Sequence, residues 1–246
     1  MRRAGWWIAA RGTVMLTLAV VAVTACGAAA APAATPTASP TAAPTPSPTH
    51  SPSPAASPAA SAPAGTTSVA IPAAGISLPT PDGWTQVAAD DLADPAIRAD
   101  ITATYPGAGQ LLAAADAMGD RAAPAFVALD PSAAGSAAPL TPNIAVLVSP
   151  QSVSGPLLDF VAGFIASGFA DALGATETER ERVQTPVGEA IRLNYTLPGG
   201  GDSPLEAVVW VIGAPSGTLV VSMMGPVDVL ADIDPEALVA AATPLP

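Results

Sequence analysis

The sequence predicts an α+β fold, an antiparallel sheet flanked by helices, and three observations predict it. In residues 189–197, Ile191, Leu193, Tyr195 and Leu197 alternate with Arg192, Asn194 and Thr196. That period of two belongs to a strand with one buried and one wet face. Residues 205–212 and 218–223 are apolar runs parted by Gly213-Ala-Pro-Ser-Gly217, a hairpin signal. Residues 156–173 repeat apolar side chains at helical spacing between Gly155 and Gly174. Helices laid on an antiparallel sheet bury both kinds of apolar face.

The chain opens with residues 1–25, which read as a signal peptide. Arg2, Arg3 and Arg11 make a positive start around Trp6-Trp7-Ile8, and residues 12–25 are uncharged and apolar. A membrane-spanning helix needs roughly 20 such residues, so this run has the length of a signal-peptide core and falls short of a span. It ends in Val23-Thr24-Ala25-Cys26-Gly27, which resembles the bacterial lipobox. By that resemblance a diacylglycerol is attached to Cys26, cleavage falls just before it, and Cys26 becomes the mature N-terminus. Cys26 is the only cysteine, so it makes no internal disulfide and no cysteine metal cluster. The alternative is an ordinary signal peptide cut at an Ala-x-Ala site within residues 28–34. Arg2-Arg3 lacks the neighbours that a twin-arginine signal requires.

Residues 26–65 follow as a stalk of Ala, Pro, Ser and Thr with no apolar periodicity. Proline at this density removes backbone donors and favours extended, polyproline II-like chain rising ~3 Å per residue. Such a stalk would hold a domain on the order of 100 Å from the membrane. His50, the only histidine, lies within it.

Residues 66–246 read as one α+β domain. Residues 69–78 form a short extended segment. A turn at Pro81-Asp-Gly then leads through Trp84 into a second strand ending near Ala88. Asp94 before Pro95 offers a cap and a first-turn proline for a helix toward Thr104. Residues 110–118 read as helix, 126–129 and 144–149 as strands, and 131–142 as a small-residue loop. In the helix over 156–173, Leu157, Phe160, Val161, Phe164, Ile165, Gly168 and Ala172 form the predicted core stripe, widened by Leu158 and Phe169. The absence of a basic face favours packing on a sheet over lipid insertion. Val183-Gln184, a turn at Pro186-Val-Gly188 and residues 189–197 make one hairpin, and residues 198–203 a glycine-rich loop. Asp234-Pro235-Glu236 starts a terminal helix. Eight aromatic side chains lie beyond the signal peptide (Trp84, Tyr105, Phe126, Phe160, Phe164, Phe169, Tyr195 and Trp210), and all are expected to anchor the core.

Composition excludes much chemistry. All 20 acidic residues follow the stalk, against five arginines there and no lysine anywhere. Such a surface repels nucleic acid and anionic headgroups, although solubility alone also explains it. Without histidine or cysteine after the stalk, no Ser-His-Asp or Cys-His nucleophile can be built, and zinc, copper and haem lose their usual ligands. No phosphate-loop motif follows a strand, and Gly199-Gly-Gly201 reads as a hairpin loop. Carboxylates remain: Asp90, Asp91, Asp94 and Asp100, then Asp228, Asp232, Asp234 and Glu236. Either set could offer oxygen ligands to Ca²⁺, but neither has calcium-loop spacing, and Asp94 and Asp234 read equally well as helix caps. A glycosidase pair would sit in an aromatic-rich cleft that two tryptophans do not supply.

Ile76-Ser-Leu-Pro before Pro81-Asp-Gly-Trp84, the helix over 156–173 and the closing strand meander together resemble the Mog1/PsbP-like α/β/α sandwich of LpqN- and DUF1795-type lipoproteins. The resemblance covers residues 69–245. It implies an accessory or binding role at an envelope, with no shared catalytic residues. The expectation is therefore a membrane-anchored extracytoplasmic lipoprotein, non-enzymatic and without cofactor or metal, that binds another envelope protein. The alternative is a lipoprotein that holds a small apolar or lipid-like molecule between sheet and helix.

Overall fold

The computed structural model describes residues 61–118, 122–199 and 203–246. The signal peptide, Cys26, His50 and residues 26–60 of the predicted stalk lie outside the described residues. Among the described residues the strands and α-helices follow in chain order: β1 (Thr66–Ile71), β2 (Ile76–Pro81), β3 (Thr85–Ala88), α1 (Ala89–Ala93), α2 (Pro95–Thr104), α3 (Ala108–Met118), β4 (Ala123–Leu129) and β5 (Asn143–Ser149). Then come α4 (Pro156–Leu173), β6 (Thr176–Thr185), β7 (Gly188–Leu197), β8 (Leu205–Ala214), β9 (Gly217–Pro226), α5 (Val227–Ile233), α6 (Pro235–Ala240) and β10 (Thr243–Pro244).

Seven strands form one antiparallel sheet in the order β3-β4-β5-β9-β8-β7-β6, and β1-β2-β10 form a second, smaller sheet. The fold is α+β, as predicted. Each face of the large sheet buries its own core. On one face Val127, Leu147, Ile191, Leu193, Tyr195, Val209 and Val211 pack against Leu92, Leu111 and Leu112 and against Leu158, Ala162 and Ala166 of α4. On the other face Phe126, Ile144, Trp210, Ile212 and Met223 meet Ile71, Ile76 and Leu78 of the small sheet and Leu230, Leu238 and Val239 of the last two helices. The third layer thus mixes a small sheet with two short helices.

Local chemistry explains most boundaries. Asp94 caps α2, its carboxylate accepting from the Ala96 N–H at 2.7 Å, and Asp234 caps α6 by accepting from Ala237 at 3.1 Å. A cap of this kind contributes about 1 kcal/mol. Gly174 closes α4 in the left-handed conformation at φ 64°, which glycine adopts without strain. The edge strand β6 alternates Glu177, Glu179 and Glu181 with Arg180 and Arg182, and charge on an exposed edge discourages pairing with another chain.

Three expectations are corrected. Residues 69–78 are not one strand but the two arms of a hairpin, reversed over Pro72–Ala74 with Gly75 at φ 67°. Strand β6 begins at Thr176, seven residues before Val183, because its charged residues follow the strand period without an apolar face to show it. The α4 stripe has a different phase. Leu158, Ala162 and Ala166 are buried, and Val161, Ile165, Phe169 and Leu173 pack at their sides. Leu157, Phe160, Phe164, Gly168 and Ala172 face away from the core. Apolar residues surround most of this helix, so periodicity alone does not fix its rotation.

The route from β5 into α4 crosses the end of the β8–β9 hairpin. Thr218 donates to the Gln151 carbonyl at 2.6 Å and Ser152 to the Ala214 carbonyl at 2.7 Å. A Cβ at Gly213 would collide with the Val153 carbonyl oxygen, whereas one at Gly168 would meet open space. Gly213→Ala should therefore destabilise the protein by about 1–3 kcal/mol. Gly168→Ala should stabilise it by up to about 1 kcal/mol through helix propensity. Denaturant unfolding of the two variants beside the parent checks both signs.

Candidate functional site: the outer face of α4

Among the described residues the large hydrophobic side chains left exposed are Leu157 (53%), Phe160 (73%) and Phe164 (55%), all on α4. Their spacing of three and four places them in one ridge along the helix. Phe160 and Phe164 were expected in the core, and the structure corrects this. Trp84 and Phe169 are half-buried, and Tyr105, Phe126, Tyr195 and Trp210 are buried as predicted. Aromatic side chains carry 150–250 Å² each, so the ridge exposes on the order of 300 Å² of apolar surface, the size of patch that often marks a binding site.

Beside the ridge a half-open cleft of about 330 Å³ lies between α4 and the ends of β5 and β9. Val153, Val161, Phe164, Ile165 and Val220 give it apolar walls, and Ser149, Gln151 and Thr218 give it polar edges. Phe164 belongs to both ridge and cleft, which makes them one surface. A second, shallow surface runs between α2 and α3, closed beneath by the bidentate pair of Arg98 with Asp116 (2.9 and 2.6 Å). It offers no apolar patch of comparable size.

Polar contacts also tie the N-terminus of α4 to β6 and β7. The Gly155 N–H donates to Glu189 at 3.1 Å, and Arg182 bridges Glu189 to Asp159 on the first turn of the helix. The Gly155 hydrogen bond first, and then Arg182, hold the Glu189 carboxyl below its ordinary range. Farther along, Phe169 packs on Tyr195 with ring centroids 4.9 Å apart. Burial pushes the Tyr195 phenol above its usual range, and its hydroxyl has no hydrogen-bond partner among the described residues.

Three of the eight carboxylates singled out in the sequence do other work. Asp94 and Asp234 cap helices, and Glu236 pairs with Arg192. Among the described residues no three His, Cys, Asp or Glu side chains gather as a metal site. Arg192, whose side chain is 14% exposed, also meets Glu179 at 3.2 Å and Glu181 at 2.9 Å, and so ties β7, β6 and α6 together on the face opposite α4. This junction was not expected from the sequence, since strand alternation placed Arg192 on a wet face.

No family model matches the chain, and no curated protein matches it. Among solved structures, its fold is similar to that of the cyanobacterial PsbP protein (CyanoP) of Synechocystis, at 12% identity and a TM-score of 0.43. That alignment covers 74% of this chain and 93% of the other. It is also similar to a Pseudomonas aeruginosa protein of unknown function, at 13% identity and a TM-score of 0.34, over 70% and 90% of the two chains. Neither likeness bears on activity or partners.

Two tests follow from the geometry. Because the Glu189 carboxyl titrates lower in the folded chain than in the unfolded one, its stabilisation is present above an unfolded pKa near ~4.3 and is lost as pH falls through the folded value. Glu189→Gln should lower stability at pH 7, and its deficit should shrink toward pH 3 in denaturant titrations at the two pH values. Arg192→Met removes the shared cation of three carboxylates and should cost about 1–3 kcal/mol, since it leaves like charges facing one another. Part of that loss should return when Glu179 is also replaced by Gln.

Proposed function

We propose that this chain is a lipoprotein anchored through Cys26 at the outer face of the cell membrane. On this reading residues 26–65 are a tether and residues 66–246 dock another envelope protein. The chain would then be an accessory of the LpqN or DUF1795 kind and not an enzyme. The observation that carries the reading is the Leu157-Phe160-Phe164 ridge with its adjoining cleft. Leaving Phe160 in water has no evident benefit to folding, because burying it would contribute about 1.5–3 kcal/mol. Its exposure on a helix tied at its N-terminus to Arg182 and Glu189 is the kind of surface that a partner covers.

A specific observation also supports the second reading, a bound apolar molecule: the cleft lies between helix and sheet and is mostly apolar. Its volume is at the small end of the range for ligand sites. A cleft that opens onto an exposed ridge suits a protein surface better than an enclosed ligand.

The test is in-cell cross-linking of the native chain followed by mass spectrometry, with Cys26→Ser and Phe160→Asp beside it. One dominant protein partner is expected, reduced at least tenfold by Phe160→Asp and lost or scattered with Cys26→Ser. A stoichiometric small molecule with no partner protein would overturn the interaction reading in favour of the ligand reading.

A further inference from the structure

We propose that the α4 ridge and cleft receive a cationic amphipathic helix of the partner, with one bulky apolar side chain of that helix seated in the cleft. The inference rests on the interaction reading above and names the chemistry of the occupant. Its first support is shape. The ridge is linear, spanning two turns of one helix, or about 10 Å. A helix laid alongside it would present side chains at the same three-and-four spacing, the way helices pack into grooves. The cleft opens beside the ridge at Phe164, and about 330 Å³ accommodates an aromatic or leucine side chain without demanding a whole ligand.

Charge decides what accompanies that apolar face. Helix α4 carries Asp159 and Asp171 and no basic residue, and its last turn has none to offset the partial negative charge of the helix C-terminus. The arginines beside it on β6 are engaged by carboxylates: Arg180 with Glu177 at 2.8 Å, and Arg182 with Asp159 and Glu189. The whole chain has 20 acidic residues against eight arginines. An apolar strip set in such a field attracts a strip flanked by Lys or Arg and slows the approach of acidic surfaces.

The same field argues against the other occupants. A second copy would bring two acidic faces together over a patch well below the roughly 800 Å² per partner of a stable interface. An anionic bilayer meets the same repulsion. The chain's own stalk, residues 26–65, contains no Asp, Glu, Lys or Arg and gains nothing from the field.

The experiment uses the mature chain carrying Cys26→Ser, free of lipid and detergent, and a labelled 18-residue peptide with Leu and Trp on one face and Lys on the other. A matched peptide has Glu in place of every Lys. The Lys peptide should bind saturably and at least tenfold more tightly than the Glu peptide. Phe160→Ser should weaken it at least tenfold and Asp171→Asn by about threefold, while Asp228→Asn, remote on α5, should leave it within twofold. Equal binding of the two peptides, or indifference to Phe160→Ser, would overturn the inference. So would sedimentation showing self-association that Phe160→Ser abolishes, or ridge-dependent binding to phosphatidylcholine–phosphatidylglycerol vesicles without peptide binding. If a ridge-dependent partner is captured in cells while the peptides bind alike, the interaction reading stands and only the cationic helix falls.

Discussion

Strand β5 lies in the middle of the large sheet, yet the next strand in the chain, β6, closes its far edge. Between them the chain must cross the width of β9, β8 and β7, and α4 is the crossing. Much else depends on this connection. From β6 the chain folds back through three successive hairpins to meet β5 again at β9, so the pairing of β5 with β9 joins the strands that precede α4 to those that follow it. The helix also roofs one core, over Ile191, Leu193 and Tyr195, and does so with small residues: Ala162 and Ala166 let its backbone come close to the strands.

A roof of this kind needs only one apolar side. The opposite side of α4 is free to be polar, and its retention of Leu157, Phe160 and Phe164 is therefore informative. The burial of Leu158, Ala162 and Ala166 sets the rotation. Asp159, Arg182 and Glu189 gather around the Gly155 amide, where a carboxylate at the helix N-terminus complements the helix dipole. Fold stability and the candidate interface are thus connected: the packing that buries one side of α4 leaves the ridge on the other.

Electrostatics divide the large sheet in a similar way. On the α4 side Arg182 of β6 pairs with Asp159 of the helix; on the opposite side Arg192 gathers Glu179, Glu181 and Glu236 at the edge where α6 closes the third layer. In so acidic a chain, each described arginine serves as a local counter-ion for carboxylates that would otherwise repel one another across the strands. Among the described residues the carboxylates without such a partner remain at the surface and contribute a negative field.

Several features were legible in the residues themselves. The alternation of Ile191, Leu193, Tyr195 and Leu197 specified the strand and its buried face, because a period of two leaves one choice of side. Asp94-Pro95, Asp234-Pro235 and Gly174 marked helix ends, because capping is local chemistry between neighbours in the chain. The hairpin across Gly213 and Gly217 was equally plain. The charged run at residues 176–182 concealed a strand, since an edge strand needs no apolar face. The rotation of α4 was hidden as well: with apolar residues almost all round, every phase offers some hydrophobic burial. By itself, then, the sequence determined the α+β class, most helix and strand positions and the acidic character of the surface, all of which follow from neighbours or from composition. Tertiary structure alone decided that Phe160 and Phe164 face outward, that Arg192 is enclosed by three carboxylates from two other elements, and that a cleft opens beside α4. Each of these depends on residues far apart in the chain being brought into contact, and no local pattern carries that information.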